Sequence, residues 1–395
     1  MTHHFGTSKG QYARPRRTIF DDDANRFRDM VRSFFQAEGA PKAAQWAETG
    51  IIDRPFWKQA AAQGLVAFQA PTEYGGVGIV DFRYNAIVNE EVTYAGLGTD
   101  AFVLTNDIVA PYLINLTNEE QRTRWLPGVT DGSIVPAIAM TEPGAGSDLR
   151  GIKTAAVWDG DRRSYLVSGT KTFITSGIQA DLVITVARVQ REGVSGLGLF
   201  AVESGMTGFS RGRKLDKIGR RGQDTAELFY ADVEVPETNV IGAVGEGLSL
   251  LMRNLPSERL SIAVTAIASA ERALELTIDY VRRREAFGQA IGHFQTVRFA
   301  VAEMVTELRV GRVYIDRCIA AQAAGELDAA EAAGAKYWAT DLEWKVLDQC
   351  LQLHGGYGYM NQYEIARRWR DARVQRIYGG TNEIMKEIVG RSVGL

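Results

Sequence analysis

Cysteine and histidine are scarce: the 395 residues hold only Cys318, Cys350 and four histidines, His3, His4, His293 and His354. Two cysteines far from a CxxC spacing allow neither a disulfide framework nor a thiolate zinc site, so a reducing compartment, the cytoplasm, is the expected setting. The histidines are not spaced as metal ligands. HExxH, GxSxG, Walker A and a GxGxxG after a strand are all missing, which removes metal-hydrolase, serine-nucleophile and P-loop chemistry. A net charge of −3 and a pI near 6.0 leave no broad positive field, so neither nucleic acid nor an anionic membrane surface is expected as a main partner. No run approaches the roughly 20 apolar residues of a membrane span, so no stable membrane insertion is expected. The opening "MTHHFGTSKGQYARPRRTIF" lacks an apolar h-region and reads as a polar leader.

Apolar residues make up 45% of the chain, enough to fill two or three cores at this length. In "DANRFRDMVRSFFQAE" Phe27, Met30, Val31, Phe34 and Phe35 recur at spacings of three and four, which predicts one apolar helix face. A helical domain over 18–131 follows. Between 132 and 245 the texture changes to short runs such as "IVPAIAMT", "DLVITVARV" and "AELFYADVEVP" between Gly, Asp and Pro turn signals, which predicts a β-domain. Helix returns over 246–395, where Leu260, Val264, Ile267, Leu274 and Ile278 mark a buried stripe and Pro256 with Ser257 reads as its start. No repeat of 20 to 50 residues is visible.

Several glycine-rich stretches suggest ligand contact, although each taken alone also reads as ordinary turn or strand. "MTEPGAGSDLRG" (140–151) is a strand running into a loop whose small residues let a planar or phosphorylated ligand approach the main chain, with Thr141 and Ser147 to orient it. In "GTKTFITSG", Phe173 can stack and Thr175 can hydrogen-bond. Arg284 in "RRREAFGQAIGHFQTV" can neutralise a phosphate or complement a helix C-terminus. Gly355 and Gly356 in "QLHGGYGYM", and Gly379 and Gly380 in "DARVQRIYGGTNEIMKEI", interrupt helical stretches.

The order and wording of these phrases together resemble the acyl-CoA dehydrogenase family, in its long-chain branch, from about Thr18 to the C-terminus. The resemblance implies an α+β fold: an N-terminal α-helical domain, a middle β-barrel or sandwich and a C-terminal four-helix bundle. It implies FAD as cofactor, bound in a homotetramer, a dimer of dimers, in which neighbouring subunits complete each site. By similarity Ile138, Met140, Thr141, Ser147, Phe173, Ile174 and Thr175 line the flavin. Arg284, Phe287 and Gln295 reach the dinucleotide of an adjacent subunit, Gln352, Gly355 and Gly356 cradle its adenosine diphosphate end, and Thr381 and Glu383 complete the pocket. Ser147, Pro256, Ser257, Arg259 and Gly380 are implied on the acyl-CoA side. Ile138 stands where an aromatic is frequent in the family, and Phe173 where tryptophan is frequent.

The family's reaction is α,β-dehydrogenation of an acyl-CoA thioester in fatty acid β-oxidation, with electrons passed to an electron-transfer flavoprotein. It requires a base for the α-proton and a donor for the charge that grows on the thioester oxygen. Many members carry the base as a Glu directly after the "IY" of the terminal motif, and here that place is Gly379. The long-chain and isovaleryl branches carry it on the long helix instead, where "NLPSERLSIA" supplies Glu258. Gly379 then keeps the role of backbone donor. A first-turn position lowers a carboxylate's pKa, so Glu258 is expected to be better tuned as a base when substrate excludes water than in the free enzyme. A branched-chain dehydrogenase, an oxygen-using relative and a flavin or acyl-CoA binding protein without a base stay open as alternatives.

Overall fold

The computed structural model describes residues 17–395, so most of the polar leader lies outside the described residues. Helices come first: α1 (Asp22–Phe34), α2 (Ala43–Thr49), α3 (Arg54–Ala62), α4 (Phe82–Ala95), α5 (Ala101–Val103), α6 (Ala110–Asn115) and α7 (Glu119–Thr130). Four of these starts are set by short polar side chains that take up otherwise unpaired amides. Asp21 accepts from Ala24, Asp53 from Phe56, Asp81 from Arg83, and Asn118 forms a reciprocal capping box with Gln121. The aromatic residues of α1 and α3 gather around Phe35, Phe56, Trp57 and Phe102 in one apolar cluster.

Eight strands follow: β1 (Pro136–Ala139), β2 (Ala155–Asp159), β3 (Ser164–Thr175), β4 (Leu182–Gln190), β5 (Leu197–Glu203), β6 (Phe209–Lys214), β7 (Thr225–Pro236) and β8 (Val240–Ile241). They form one sheet in the order β6-β7-β3-β2-β4-β5-β8, with β1 added parallel to β4. The period of two sorts its side chains into two cores. Ile138, Ile184 and Leu199 pack against Leu104, Tyr112 and Trp125 of the helical region, whereas Ala137, Val183 and Phe200 join Val167 and Val235 in a core made by the strands themselves. The sheet thereby brings β1 up against the π-helical turn Leu104–Val109 that leads into α6.

The last part holds α8 (Gly247–Arg283), a small hairpin β9 (Glu285–Ala286) and β10 (Gln289–Ala290), then α9 (Gln295–Ala323), α10 (Ala329–Leu353), α11 (Glu364–Ala372) and α12 (Asn382–Ser392). Leu260, Val264, Ile267, Leu274 and Ile278 of α8 share a core with Met304, Leu308, Ile315, Val346 and Leu347. Each such side chain contributes about 1.5–3 kcal/mol by leaving water, so the α8 stripe alone outweighs the penalty of about 3 kcal/mol for the proline inside that helix. That proline corrects the expected helix start. Pro256 and Ser257 do not open α8, which begins nine residues earlier than Pro256, at Gly247, because "GLSLLMRNL" already supplies buried Leu250, Leu251 and Leu255 at helical spacing.

Ion pairs rivet the first helices to the bundle. Glu90 of α4 accepts from Arg17, Arg28 and Arg312 at 2.6–2.7 Å, and Arg312 of α9 also pairs with Glu271 of α8. Three guanidiniums hold the buried Glu90 carboxyl well below the usual carboxylate range, overcoming the opposing effect of burial. Among the described residues no helix is long and apolar enough to cross a membrane.

Candidate active site

Glu258 is 3% exposed on α8. Its Oε1 accepts from Nδ2 of Asn254, one turn earlier on the same helix, at 2.9 Å, and from the Tyr112 hydroxyl of α6 at 3.3 Å. Asn254 Nδ2 also lies 3.4 and 3.3 Å from the carbonyls of Asp107 and Ile108. Asp107 is buried in its turn, with Asn85 and Asn89 donating to its two oxygens at 2.5 and 2.6 Å. Burial pushes the Glu258 carboxyl up to about 7, against the pull of the Asn254 and Tyr112 donors and the Arg259 guanidinium. Counting from Gly247, Glu258 is the twelfth residue of α8, so the first-turn position read from the sequence is wrong. The helix-end field, which fades within one turn, does not act on it, and tuning toward neutrality is present in the chain without substrate.

The loop before α12 lies against the same stretch of α8. Gly379 and Gly380 adopt φ +64 and +93, a left-handed backbone that favours glycine. Arg259, 5% exposed, donates from Nε to the Gly379 carbonyl at 3.4 Å. Lys336 of α10, wholly buried, donates to the Gly380 carbonyl at 2.8 Å and to Oδ1 of Asn382 at 3.0 Å. Burial, followed by the Arg259 charge, brings the Lys336 ammonium down to about 7. A Cβ on Gly379 would stand 2.4 Å from Cδ1 of Ile262, again a residue of α8. Glu258, Arg259, Gly379 and Gly380 therefore meet in one region, with Pro256 and Ser257 half-buried on the adjoining turn. Thr381 caps α12, its Oγ1 accepting from the Ile384 amide at 3.4 Å. Glu383 is exposed, and its carboxyl is depressed by a backbone amide and Thr381.

A second group gathers where β1 and β3 end. Ile138 is 8% exposed and belongs to the core that contains Tyr112, while Met140 packs half-buried at its edge. The Thr172 amide donates to the Thr141 carbonyl at 2.9 Å, which joins the two glycine-flanked strand ends. Beneath them Lys171, wholly buried, donates to the Met140 carbonyl at 3.0 Å and to Glu142 at 2.9 Å. Burial opposes the charge on Glu142, yet donors from Thr154, Lys153 and Lys171 take its carboxyl down to about 2. Phe173 falls at a register shift of β3, with φ +59, and stands 68% exposed between buried Thr172 and Ile174; Thr175 is half-buried. Ser147 is exposed in the loop, and added Cβ atoms at Gly144 and Gly146 would meet nothing within 4 Å. A bare main chain, an aromatic face and flanking threonine hydroxyls fit a planar heteroaromatic ring such as a flavin.

The third group lies at the far end of α8. Arg284 caps that helix 5.8 Å above the Tyr357 ring, and Tyr280 stacks on His354 at 4.2 Å. Gln352, Gly355 and Gly356 are exposed on the same edge, the glycines in the short 3₁₀ turn after α10. Phe287 is 94% exposed at φ +51 at the hairpin, and Gln295 opens α9 in solvent. The expected site residues thus form three groups on one chain. Tyr112, Asn254, Asp107 and Lys336 were not singled out in the sequence. Only Asn254 carried a local signal, its i,i+4 spacing to Glu258.

Comparison with known proteins places this architecture. Acyl-CoA dehydrogenase N-terminal, middle and C-terminal domain profiles match residues 21–133, 137–233 and 245–394. A long-chain specific acyl-CoA dehydrogenase, mitochondrial, of Sus scrofa is 46% identical over 380 residues, 95% of this chain and 88% of that protein. The crystal structure of an acyl-CoA dehydrogenase from Geobacillus kaustophilus superimposes with a TM-score of 0.93 at 43% identity, covering 96% of this chain and all of that one. An acyl-CoA dehydrogenase complexed with FAD from Bacillus anthracis matches with a TM-score of 0.89 at 28% identity, over 95% of this chain and 67% of that one.

Proposed function

The chain belongs to the acyl-CoA dehydrogenase family, and we propose that it converts a medium- or long-chain acyl-CoA to the trans-2-enoyl-CoA, with Glu258 as the general base. The observation that carries this reading is a buried carboxylate, raised to about 7, on the turn of α8 whose Arg259 binds the Gly379 carbonyl. A base whose pKa lies near the working pH is ionised often enough to act and basic enough to take a proton.

In this reading Glu258 removes the α-proton from the thioester substrate while the Gly379 amide donates to the thioester oxygen. Ile138, Met140, Thr141, Phe173, Ile174 and Thr175 would hold FAD, which would supply a hydride acceptor for the β-hydrogen. Thr141, Phe173 and Thr175 hold one face of the site dry and ordered, and the Lys171–Glu142 pair fixes the strand end that carries them. Arg259, Pro256, Ser257, Ser147 and Gly380 contact the CoA thioester portion. Arg284, Phe287, Gln295, Gln352, Gly355 and Gly356 serve the dinucleotide of a neighbouring subunit in a homotetramer. An aromatic side chain held 94% exposed in a left-handed conformation, as Phe287 is, supports this, because such a residue is stabilised by a partner that covers it. Electron-transfer flavoprotein is the proposed acceptor, fatty acid β-oxidation the pathway and the cytoplasm the setting.

Anaerobic mixing with a ladder of straight and branched acyl-CoAs tests the reading. Flavin bleaching should be fastest with a straight chain, and Glu258→Gln should keep FAD and ligand yet lose on the order of 10²-fold or more in reduction rate. A fully active Glu258→Gln enzyme would remove the base assignment.

A further inference from the structure

We propose that Tyr112 and Asn254 are positioning residues for the Glu258 carboxylate, both holding Oε1 so that Oε2 is presented to the substrate proton. The inference deepens the role given to Glu258 above and rests on it. The two donors come from different elements, α6 and α8, and meet the same oxygen at 3.3 and 2.9 Å, while among the described residues no hydrogen bond reaches Oε2. A carboxylate held through one oxygen loses rotational freedom about its last bond and keeps its other lone pairs for transfer.

The donors are themselves fixed. One amide proton of Asn254 goes to Glu258, and the other is shared by the Asp107 and Ile108 carbonyls. Those carbonyls lie in a π-helical turn, Leu104–Val109, which displaces them from the regular α-helical ladder and leaves them aimed at α8. Tyr112 is 2% exposed in an apolar core, and burial together with the Glu258 charge keeps its hydroxyl protonated far above neutrality. Its proton therefore stays available to donate to the carboxylate. The charged and titratable groups facing Glu258 are Arg259 from its own helix, Asp107 from the π turn and Tyr112 from α6. Removing a donor leaves the opposing burial in place, so each donor fixes both where the carboxylate points and the pH at which it acts.

The test is the pH profile of anaerobic flavin reduction in the FAD-loaded enzyme. Tyr112→Phe removes one donor with almost no change of shape. The acid limb, expected near pH 7 in the parent, should move upward by about 0.5–1 pH unit, and the alkaline plateau should fall severalfold as the carboxylate loses its orientation, with FAD content unchanged. Asn254→Ser should move the limb in the same direction, and it carries the test if Tyr112→Phe does not fold. An unmoved limb with a lowered plateau would overturn the inference, because that is what loosened packing alone produces. Glu258→Gln is measured alongside. If it is inactive while both donor variants keep the parent profile, the positioning role fails and the base stands; if it is fully active, the base reading fails first.

Discussion

Arg259 Nε reaches the carbonyl of Gly379 at 3.4 Å, so the residue beside one base position holds the loop at the other. The two places where a catalytic base would be sought are therefore joined through one contact. A carboxylate at both would put two like charges into a site from which water is excluded, at a cost that rises as the dielectric falls. Glycine at 379 avoids that repulsion and accepts a backbone that other residues resist.

Returning an acid to the loop should consequently be difficult. In a Glu258→Gln background, Gly379→Glu forces a side chain onto φ +64 with its Cβ 2.4 Å from Ile262 Cδ1. A stability loss of about 1–3 kcal/mol is expected, with little recovery of flavin reduction. Adding Ile262→Ala should relieve the steric part and raise the recovered rate with short acyl-CoAs. Thermal melting and anaerobic reduction of the three variants check this.

Stability should follow the Glu258 charge with a defined sign. Its folded value of about 7 is above the ordinary 4.5, so the folded chain binds this proton more tightly than the unfolded one. That contribution is complete below pH 4.5 and is lost as pH rises through 7. Glu258→Gln stays neutral, and denaturant unfolding of the FAD-loaded proteins should show it gaining on the parent by on the order of 3 kcal/mol between pH 4 and pH 8.

Lys336 should show the opposite slope. Its folded value of about 7 is below the ordinary 10.5, so the unfolded chain holds that proton more tightly. The stability it contributes grows as pH rises from 7 toward 10.5. Lys336→Met also strands the Gly380 carbonyl, at a cost of about 1–3 kcal/mol, and the deficit against the parent should widen from pH 7 to pH 10 in equilibrium unfolding.

The buried pair under the β1 end should behave as a unit. Lys171→Met leaves Glu142 buried without its cation and should cost about 3–5 kcal/mol, with FAD released at lower denaturant. Adding Glu142→Gln should return part of that loss, and a double-mutant cycle of unfolding free energies reads the coupling.

The stretches most legible in the sequence were those governed by local periodicity. The α8 stripe from Leu260 to Ile278 follows from spacing, because burying one face of a helix demands it, and the β-domain follows from short apolar runs broken by Gly, Asp and Pro turns. The start of α8 was misread because a Pro-Ser pair is a common helix opening and the burial of Leu250, Leu251 and Leu255 outweighed it. The polar environment of Glu258 lay beyond sequence reasoning for a different cause. Tyr112 is 146 positions away, and no propensity or period connects a hydroxyl on one helix to a carboxylate on another.

Helix α8 also acts as a measuring rod. The 26 residues from Glu258 to Arg284 rise about 39 Å at 1.5 Å each, so one rigid body sets the spacing between the buried carboxyl and the cationic far end. An inserted residue between them would swing Arg284 by about 100° as well as lengthen the span. In the reading proposed above those two ends serve different subunits, so the length of α8 ties one protomer's base to the dinucleotide site of its neighbour.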